Sequence, residues 1–173
     1  MSGSTGQPQS IGQLFRDGET KRKSLEASYD SNSATFQENL ASTINTYEEC
    51  IRLADRISLF SPNETLDDIS SSDLQYLLLH YYVAELTLRI TGSGRKANLE
   101  RAQTNYVKFL KLLDNYDVLS RSDSKLYERY VDDPKSFSTA SKTDAAARRE
   151  TKIARFREEK ELKTKLEVRK AQM

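Results

Sequence analysis

Residues 74–90 read LQYLLLHYYVAELTLRI, the most apolar stretch of the chain. Apolar side chains occupy nearly every direction around a helix of this length, which predicts a helix covered on all sides at the centre of a bundle. It should begin at Ser71 or Ser72 and end at the GSG segment 92–94. A β-strand is the competing interpretation of residues 76–83, but the length of the run and its leucines favour a helix.

Two further helices are predicted before this stretch. The first spans about 10–28, with Ser10 as its cap and two glycines that weaken it. The second spans about 33–60, with Ser33 as its cap and an end imposed by Pro62. Its apolar residues recur at spacings of three and four, which is typical of an amphipathic helix: Phe36, Leu40, Ile44, Tyr47, Ile51 and Ala54.

Three helices are predicted after it. A fourth helix carries another apolar stripe: Leu99, Ala102, Tyr106, Phe109, Leu110 and Leu113. A short helix at 124–130 should stop at Asp132-Asp133-Pro134, a Ser/Thr-rich loop covers 135–143, and a charged helix runs from Asp144 to the C-terminus. The pattern predicts an all-α fold of about six helices, either an antiparallel bundle or a tetratricopeptide-like helical-hairpin solenoid.

Length and composition limit the function classes. Residues 1–9 are rich in Gly, Ser and Gln and are predicted to be a disordered tail, which leaves 10–173 as the helical domain. The net charge of +1 indicates no bias toward nucleic acid or membranes, and no apolar run could cross a bilayer. We therefore expect a cytoplasmic protein, with the nucleus as a second location.

The helical pattern of the last segment breaks off at Met173, so we expect the chain to be a truncated part of a longer protein.

The sequence contains no recognisable enzyme motif, whether a Gly-rich phosphate loop, G-x-S-x-G or H-E-x-x-H. His80 lies in the most apolar helix, where a packed, hydrogen-bonded histidine is the expected role, and Cys50 should be a small buried or half-buried side chain. The acidic residues Glu64, Asp67 and Asp68 lack the spacing and the glycine of a calcium loop. Asp67 and Asp68 fit better as residues that precede a helix start, where the helix dipole favours negative charge. We expect no catalysis, no metal and no cofactor.

The last helix lacks a single apolar face. At about 100° per residue, Arg149, Lys152, Ile153 and Phe156 share one side, whereas the leucines of the second half point well away. The first half could pack against the bundle by that side. The second half could not use the same side, so we expect it to project or to contact a partner.

The same helix is basic. Residues 142–170 hold eleven basic and six acidic side chains, a net charge of +5, which leaves the remainder of the chain at −4. Arg149 and Lys152 lie one turn apart and repel each other by about a few tenths of a kcal/mol, so an acidic partner would relieve the repulsion. The alternative is a solvated helix held by intrahelical pairs: Glu159 with Lys163, and Glu161 with Lys165.

Two stretches resemble a known family. The first stretch is residues 59–70, which read LFSPNETLDDIS and are followed by DLQYL at 73–77 and by Tyr81-Tyr82. The second stretch is residues 149–156, which read RETKIARF and open the last helix. Together they resemble the type 2A phosphatase-associated protein family, called Tap forty-two in yeast and alpha-four in animals. The resemblance covers roughly residues 33–170.

The resemblance implies a tetratricopeptide-like helical N-terminal domain followed by a largely unstructured C-terminal region. It implies a regulator or chaperone that binds the catalytic subunits of protein phosphatases 2A, 4 and 6 in place of the scaffold subunit, downstream of TOR kinase. The family's basic pair for phosphatase contact maps onto Arg149 and Lys152, with Arg148, Arg155 and Phe156 as further candidate contacts. We expect the chain to be a monomer.

Two other interpretations remain. Animal members of the family carry a ubiquitin-interacting helix, whose spacing is loosely matched by Glu48, Glu49, Ile51, Ala54 and Ser58, although Ile51 and Ala54 also belong to the core stripe. The alternative to phosphatase binding is a generic tetratricopeptide-like adaptor that recognises peptides in a concave groove.

Overall fold

The computed structural model describes residues 9–139 and 143–172, and it divides into two compact units, Met1–Ser120 and Arg121–Met173. Within the described residues there are six α-helices and no strand, which confirms the prediction of an all-α fold. The predicted disordered tail lies outside the described residues except for Gln9. The extent of a single helical domain, 10–173, stays a prediction.

The first unit contains four α-helices, and each packs against the next in sequence. They are α1 (Ile11–Glu26), α2 (Ala34–Arg56), α3 (Leu79–Leu88) and α4 (Arg95–Asn115). Two short 3-10 helices, Leu66–Asp68 and Leu74–Leu78, lie between α2 and α3. The second unit contains α5 (Arg121–Asp132) and α6 (Ala145–Ala171).

Contacts between α2 and α3 show that these neighbours run antiparallel. Gln37, near the start of α2, donates its side-chain amide to the carbonyl of Arg89, just past the end of α3 (3.3 Å). Further along α2, the ring of Tyr47 lies 5.2 Å from the ring of Tyr82 in the first half of α3. The start of one helix therefore meets the end of the other.

The core of the first unit lies where α1, α2 and α3 meet. Buried apolar side chains form one cluster: Phe15, Leu25, Phe36, Leu40, Ile44, Tyr47, Cys50, Tyr76, Leu79, Val83 and Leu86. Most of the stretch 74–90 is buried or half-buried, as its composition predicts, but Leu74 and Leu78 are exposed. The cover of this segment is therefore incomplete on the side of these two leucines.

The predicted helix starts are confirmed at two caps. Ser10 accepts a hydrogen bond from the main-chain N–H of Gln13 (3.3 Å) and its own N–H donates to the Gln13 side chain (2.9 Å). Ser33 accepts from the N–H of Phe36 (3.2 Å). Each cap supplies an acceptor for an N–H that has no partner inside the helix.

The predicted end of α2 near Phe60 is wrong, because the helix ends at Arg56. Ser58 takes a left-handed conformation with φ of 51°, and the N–H of Leu59 bonds the carbonyl of Ala54 (2.9 Å). This arrangement is a Schellman cap, which closes a helix regardless of a later proline.

Two other boundaries also differ from prediction. Residues 74–78 form a 3-10 helix rather than the first turns of α3. A turn at Ser70–Asp73 precedes them and starts a run of tighter i→i+3 hydrogen bonds. One of these bonds runs from the N–H of Tyr76 to the carbonyl of Asp73 (2.9 Å). Helix α5 begins at Arg121 instead of Ser124. No described helix has the length and apolar character needed to span a bilayer.

Candidate partner-binding site

Helix α6 begins where the sequence predicts. Asp144 caps it by accepting a hydrogen bond from the N–H of Ala147 (3.0 Å), and three alanines form its first turn. The helix is 27 residues long, which corresponds to about 40 Å. It presents the predicted basic pair in its second turn.

Arg149 and Lys152 are both exposed. Their spacing places them about 60° apart around the helix, so both charges face the same side. Within residues 9–139 and 143–172, neither side chain forms a hydrogen bond or an ion pair. The two positive charges are available to a partner.

The other candidate contacts surround this pair. Arg148 and Arg155 are exposed, and Phe156 leaves 67% of its surface in contact with solvent. Ile153 is also exposed and lies on the same side of the helix as Phe156. An exposed aromatic ring close to the unpaired charges of Arg149 and Lys152 is typical of a surface that another protein covers.

The predicted intrahelical pairs form in the second half of α6. Lys163 bonds Glu159 at 2.6 Å, and Lys165 bonds Glu161 at 2.7 Å. The hydrogen bond from Lys165 lowers the pKa of Glu161 below its ordinary value. These pairs stabilise the helix locally and leave the basic pair of the first half unneutralised.

His80 forms the hydrogen bond expected of a packed histidine. Its Nδ1 lies 2.9 Å from the side-chain oxygen of Asn105, and burial lowers its pKa. Glu85 of the same helix accepts a hydrogen bond from the hydroxyl of Tyr106. Cys50 is fully buried, as predicted, and burial raises the pKa of its thiol to about 11.

One of the acidic residues after α2, Asp68, acts in a helix cap. Asp68 accepts hydrogen bonds from the N–H (2.7 Å) and the hydroxyl (2.9 Å) of Thr65, which lowers the pKa of the carboxyl. Asp67 and Asp68 lie at a helix start, as predicted, although they belong to the first turn of the 3-10 helix 66–68 and do not precede it. Among the residues that the structure describes, no cluster of His, Cys, Asp or Glu is suited to hold a metal.

The fold and the site together define a class: a helical protein with an exposed, unpaired basic pair on its last helix. The TAP42-like family matches residues 11–173, and the chain belongs to this family. The resemblance found in the sequence is therefore confirmed.

Two curated relatives carry names that describe a regulatory or associated protein. The PP2A regulatory subunit TAP46 of Oryza sativa subsp. japonica is 30% identical over 136 residues, covering 79% of this chain and 30% of the relative. The Type 2A phosphatase-associated protein 42 of Saccharomyces cerevisiae (strain ATCC 204508 / S288c) is 31% identical over 133 residues, covering 65% of this chain and 36% of the relative. The chain thus spans about a third of the length of these relatives.

A solved structure, described as "The Structure of Tap42 Alpha4 Subunit", has the same fold. It is 26% identical with a TM-score of 0.72, and the match covers 92% of this chain and 76% of that chain. The helical arrangement of the chain is therefore that of the family.

Proposed function

We propose that this chain is a regulatory protein that binds the catalytic subunit of type 2A-like protein phosphatases by direct contact through Arg149 and Lys152. The observation that carries the proposal is that both side chains are exposed on one side of α6 and lack a counter-charge among the described residues. The names of the relatives, a PP2A regulatory subunit and a type 2A phosphatase-associated protein, support the choice of partner.

The proposed contact is electrostatic at its centre. Carboxylates on the phosphatase surface would neutralise the two cations and end their mutual repulsion, and each charge-assisted hydrogen bond is worth about 1.5–3 kcal/mol. Phe156 would add apolar contact beside the pair, with Arg148 and Arg155 as flanking charges. Such a contact acts by stoichiometric binding and requires no catalytic residue of this chain.

The finer proposal follows the family resemblance. The partners would be the catalytic subunits of protein phosphatases 2A, 4 and 6, bound by a monomer of this chain in place of the scaffold subunit. The setting would be TOR signalling in the cytoplasm, with the nucleus as a second location.

Ubiquitin binding has less support as a further role. Ala54, which the proposed motif needs at its surface, is buried in the interior of the first unit. Glu48 of the same motif is paired with Arg101 at 2.5 Å. We therefore restrict the proposal to phosphatases.

The experiment that tests this function measures the affinity of the chain for purified catalytic subunits of phosphatases 2A, 4 and 6 in turn, with and without the scaffold subunit as competitor. The proposal expects binding that rising salt weakens and that the scaffold displaces. The absence of binding to all three subunits would contradict it.

A further inference from the structure

The distal half of α6 exposes two leucines on a different side from the basic pair. Leu162 and Leu166 leave 59% and 54% of their surfaces exposed. They lie four residues apart and form one apolar patch, which we call the leucine face. At about 100° per residue, the leucine face points about 130° away from the side that carries Ile153 and Phe156.

Burial within the second unit does not stabilise this helix. No residue of 121–139 or 143–172 is buried, and the internal supports of α6 include its Asp144 cap and the ion pairs formed by Lys163 and Lys165. In proteins, a helix normally gains most of its stability by burying an apolar face against other structure. The leucine face is thus a surface whose burial by a partner would stabilise the helix.

The charge around the leucine face specifies an acidic occupant. Arg155 and Arg169 lie on the same side of the helix as the two leucines, and neither forms an ion pair within the described part of the chain. Of the acidic residues nearby, Glu159 is paired with Lys163, and Glu158 lies about 60° from the centre of the leucine face. A second copy of the same basic helix would be repelled. A surface that combines carboxylates with an apolar contact would satisfy both the cations and the leucines.

The directions of the apolar side chains favour a protein over a membrane. Basic helices with apolar residues also lie on anionic bilayers, but a bilayer is planar and covers a single face. Phe156 and the leucine face point to different sides of α6, so a plane cannot cover both. A folded protein can contact a helix from two sides at once.

We propose that the leucine face is a second contact surface for the phosphatase catalytic subunit, so that the partner covers α6 from two sides. This inference rests on the proposed function and adds a contact that is separate from the basic pair. The additional contact is apolar, so its contribution should depend little on salt, unlike that of Arg149 and Lys152.

The test measures by calorimetry the affinity of the purified phosphatase 2A catalytic subunit for the wild-type chain, for the double variant Leu162→Gln with Leu166→Gln, and for Val168→Gln. Val168 is a matched control because it is 51% exposed on the same helix and points about 140° away from the leucine face. Glutamine is nearly as good a helix former as leucine, and circular dichroism checks that helix content is kept. Binding to phosphatidylserine vesicles is measured for the same three proteins.

We expect the double variant to bind about tenfold more weakly or worse, and Val168→Gln to bind like wild type. Equal affinity of the double variant would overturn the inference and leave the proposed function intact. A wild-type chain that does not bind the subunit would overturn both. Vesicle binding that only the double variant loses would assign the leucine face to a membrane surface instead and also overturn the inference.

Discussion

The hydroxyl of Tyr116 lies 3.0 Å from both the main-chain nitrogen and the carbonyl oxygen of Ser61, accepting a hydrogen bond from the first and donating one to the second. Tyr116 is buried at the end of α4, and its ring packs edge-on against Phe60. The connector that follows α2 is thereby tied to a residue far along the chain. This connector contains the stretch 59–70, on which much of the family resemblance depends.

Replacing Tyr116 with phenylalanine should loosen this connector. Tyr116→Phe keeps the ring contact but removes both hydrogen bonds to Ser61, so the free energy of unfolding should fall by about 1–3 kcal/mol in urea titrations. Tyr29→Phe is the matched control, since Tyr29 is fully exposed and its replacement should change nothing. Equal stability of the two variants would contradict the role of the hydroxyl.

The two glycines of α1 should respond oppositely to alanine. A Cβ at Gly18 would lie 2.8 Å from Cε1 of Tyr47, closer than the packed ring allows, whereas a Cβ at Gly12 would meet Oη of Tyr76 at an ordinary 3.5 Å. Gly12→Ala should raise the melting temperature, because alanine favours the helix by about 1 kcal/mol. Gly18→Ala should lower it, because overpacking costs about 1–3 kcal/mol. A rise in both variants would show that Tyr47 moves aside freely.

The acid stability of the first unit should depend on Glu19. Burial raises its pKa, but hydrogen bonds from Arg22 (2.8 Å) and Tyr47 (2.6 Å) outweigh this and hold the pKa below 4.5. Because the folded pKa lies below the unfolded value, the ionised carboxylate stabilises the fold above about pH 4.5, and this contribution is lost as the pH falls through the folded pKa.

Urea titrations of wild type and Glu19→Gln across pH measure that contribution. The difference in unfolding free energy should be largest near about pH 7 and should shrink below about pH 4.5. A difference that does not change with pH would mean that the carboxylate charge contributes nothing beyond the shape of the side chain.

The thiol of Cys50 should react only when the first unit opens. The side chain is fully buried, and burial raises its pKa to about 11, so the reactive thiolate is scarce and inaccessible in the folded chain. Alkylation by iodoacetamide near about pH 8 should be slow without denaturant and rapid in urea. Rapid labelling of the folded protein would contradict the burial of α2.

The sequence predicted those parts of the fold that depend on local chemistry. The starts of α1 and α2 follow from the hydroxyl caps at Ser10 and Ser33, which act over three residues. The end of α2 was predicted wrongly because Ser58 adopts a left-handed conformation that sequence patterns usually assign to glycine. The tie between Ser61 and Tyr116 joins residues 55 positions apart, and no local pattern predicts such a contact.

The placement of the two basic side chains was predictable for a different reason, while their role in binding stays a prediction. The spacing of Arg149 and Lys152 places both on one side of a helix, and the exposed, unpaired state of the two side chains agrees with that prediction. The apolar stripe of α4 is covered less completely, because Ala102 is buried, Leu99 is exposed and the other predicted members are half-buried: Tyr106, Phe109, Leu110 and Leu113. Periodicity indicates which side of a helix is apolar, but neighbouring elements determine how far that side is covered.

The most direct test of the account measures the affinity of the phosphatase 2A catalytic subunit for wild type, for Arg149→Glu with Lys152→Asp, and for Lys108→Glu with Lys111→Asp. The last variant is the control, because it reverses two exposed lysines at the same spacing on α4. We predict that the first double variant weakens binding by about 30-fold or more with unchanged circular dichroism, while the control binds like wild type. Equal affinity of all three proteins would contradict the account and would favour an adaptor that binds peptides in a concave groove.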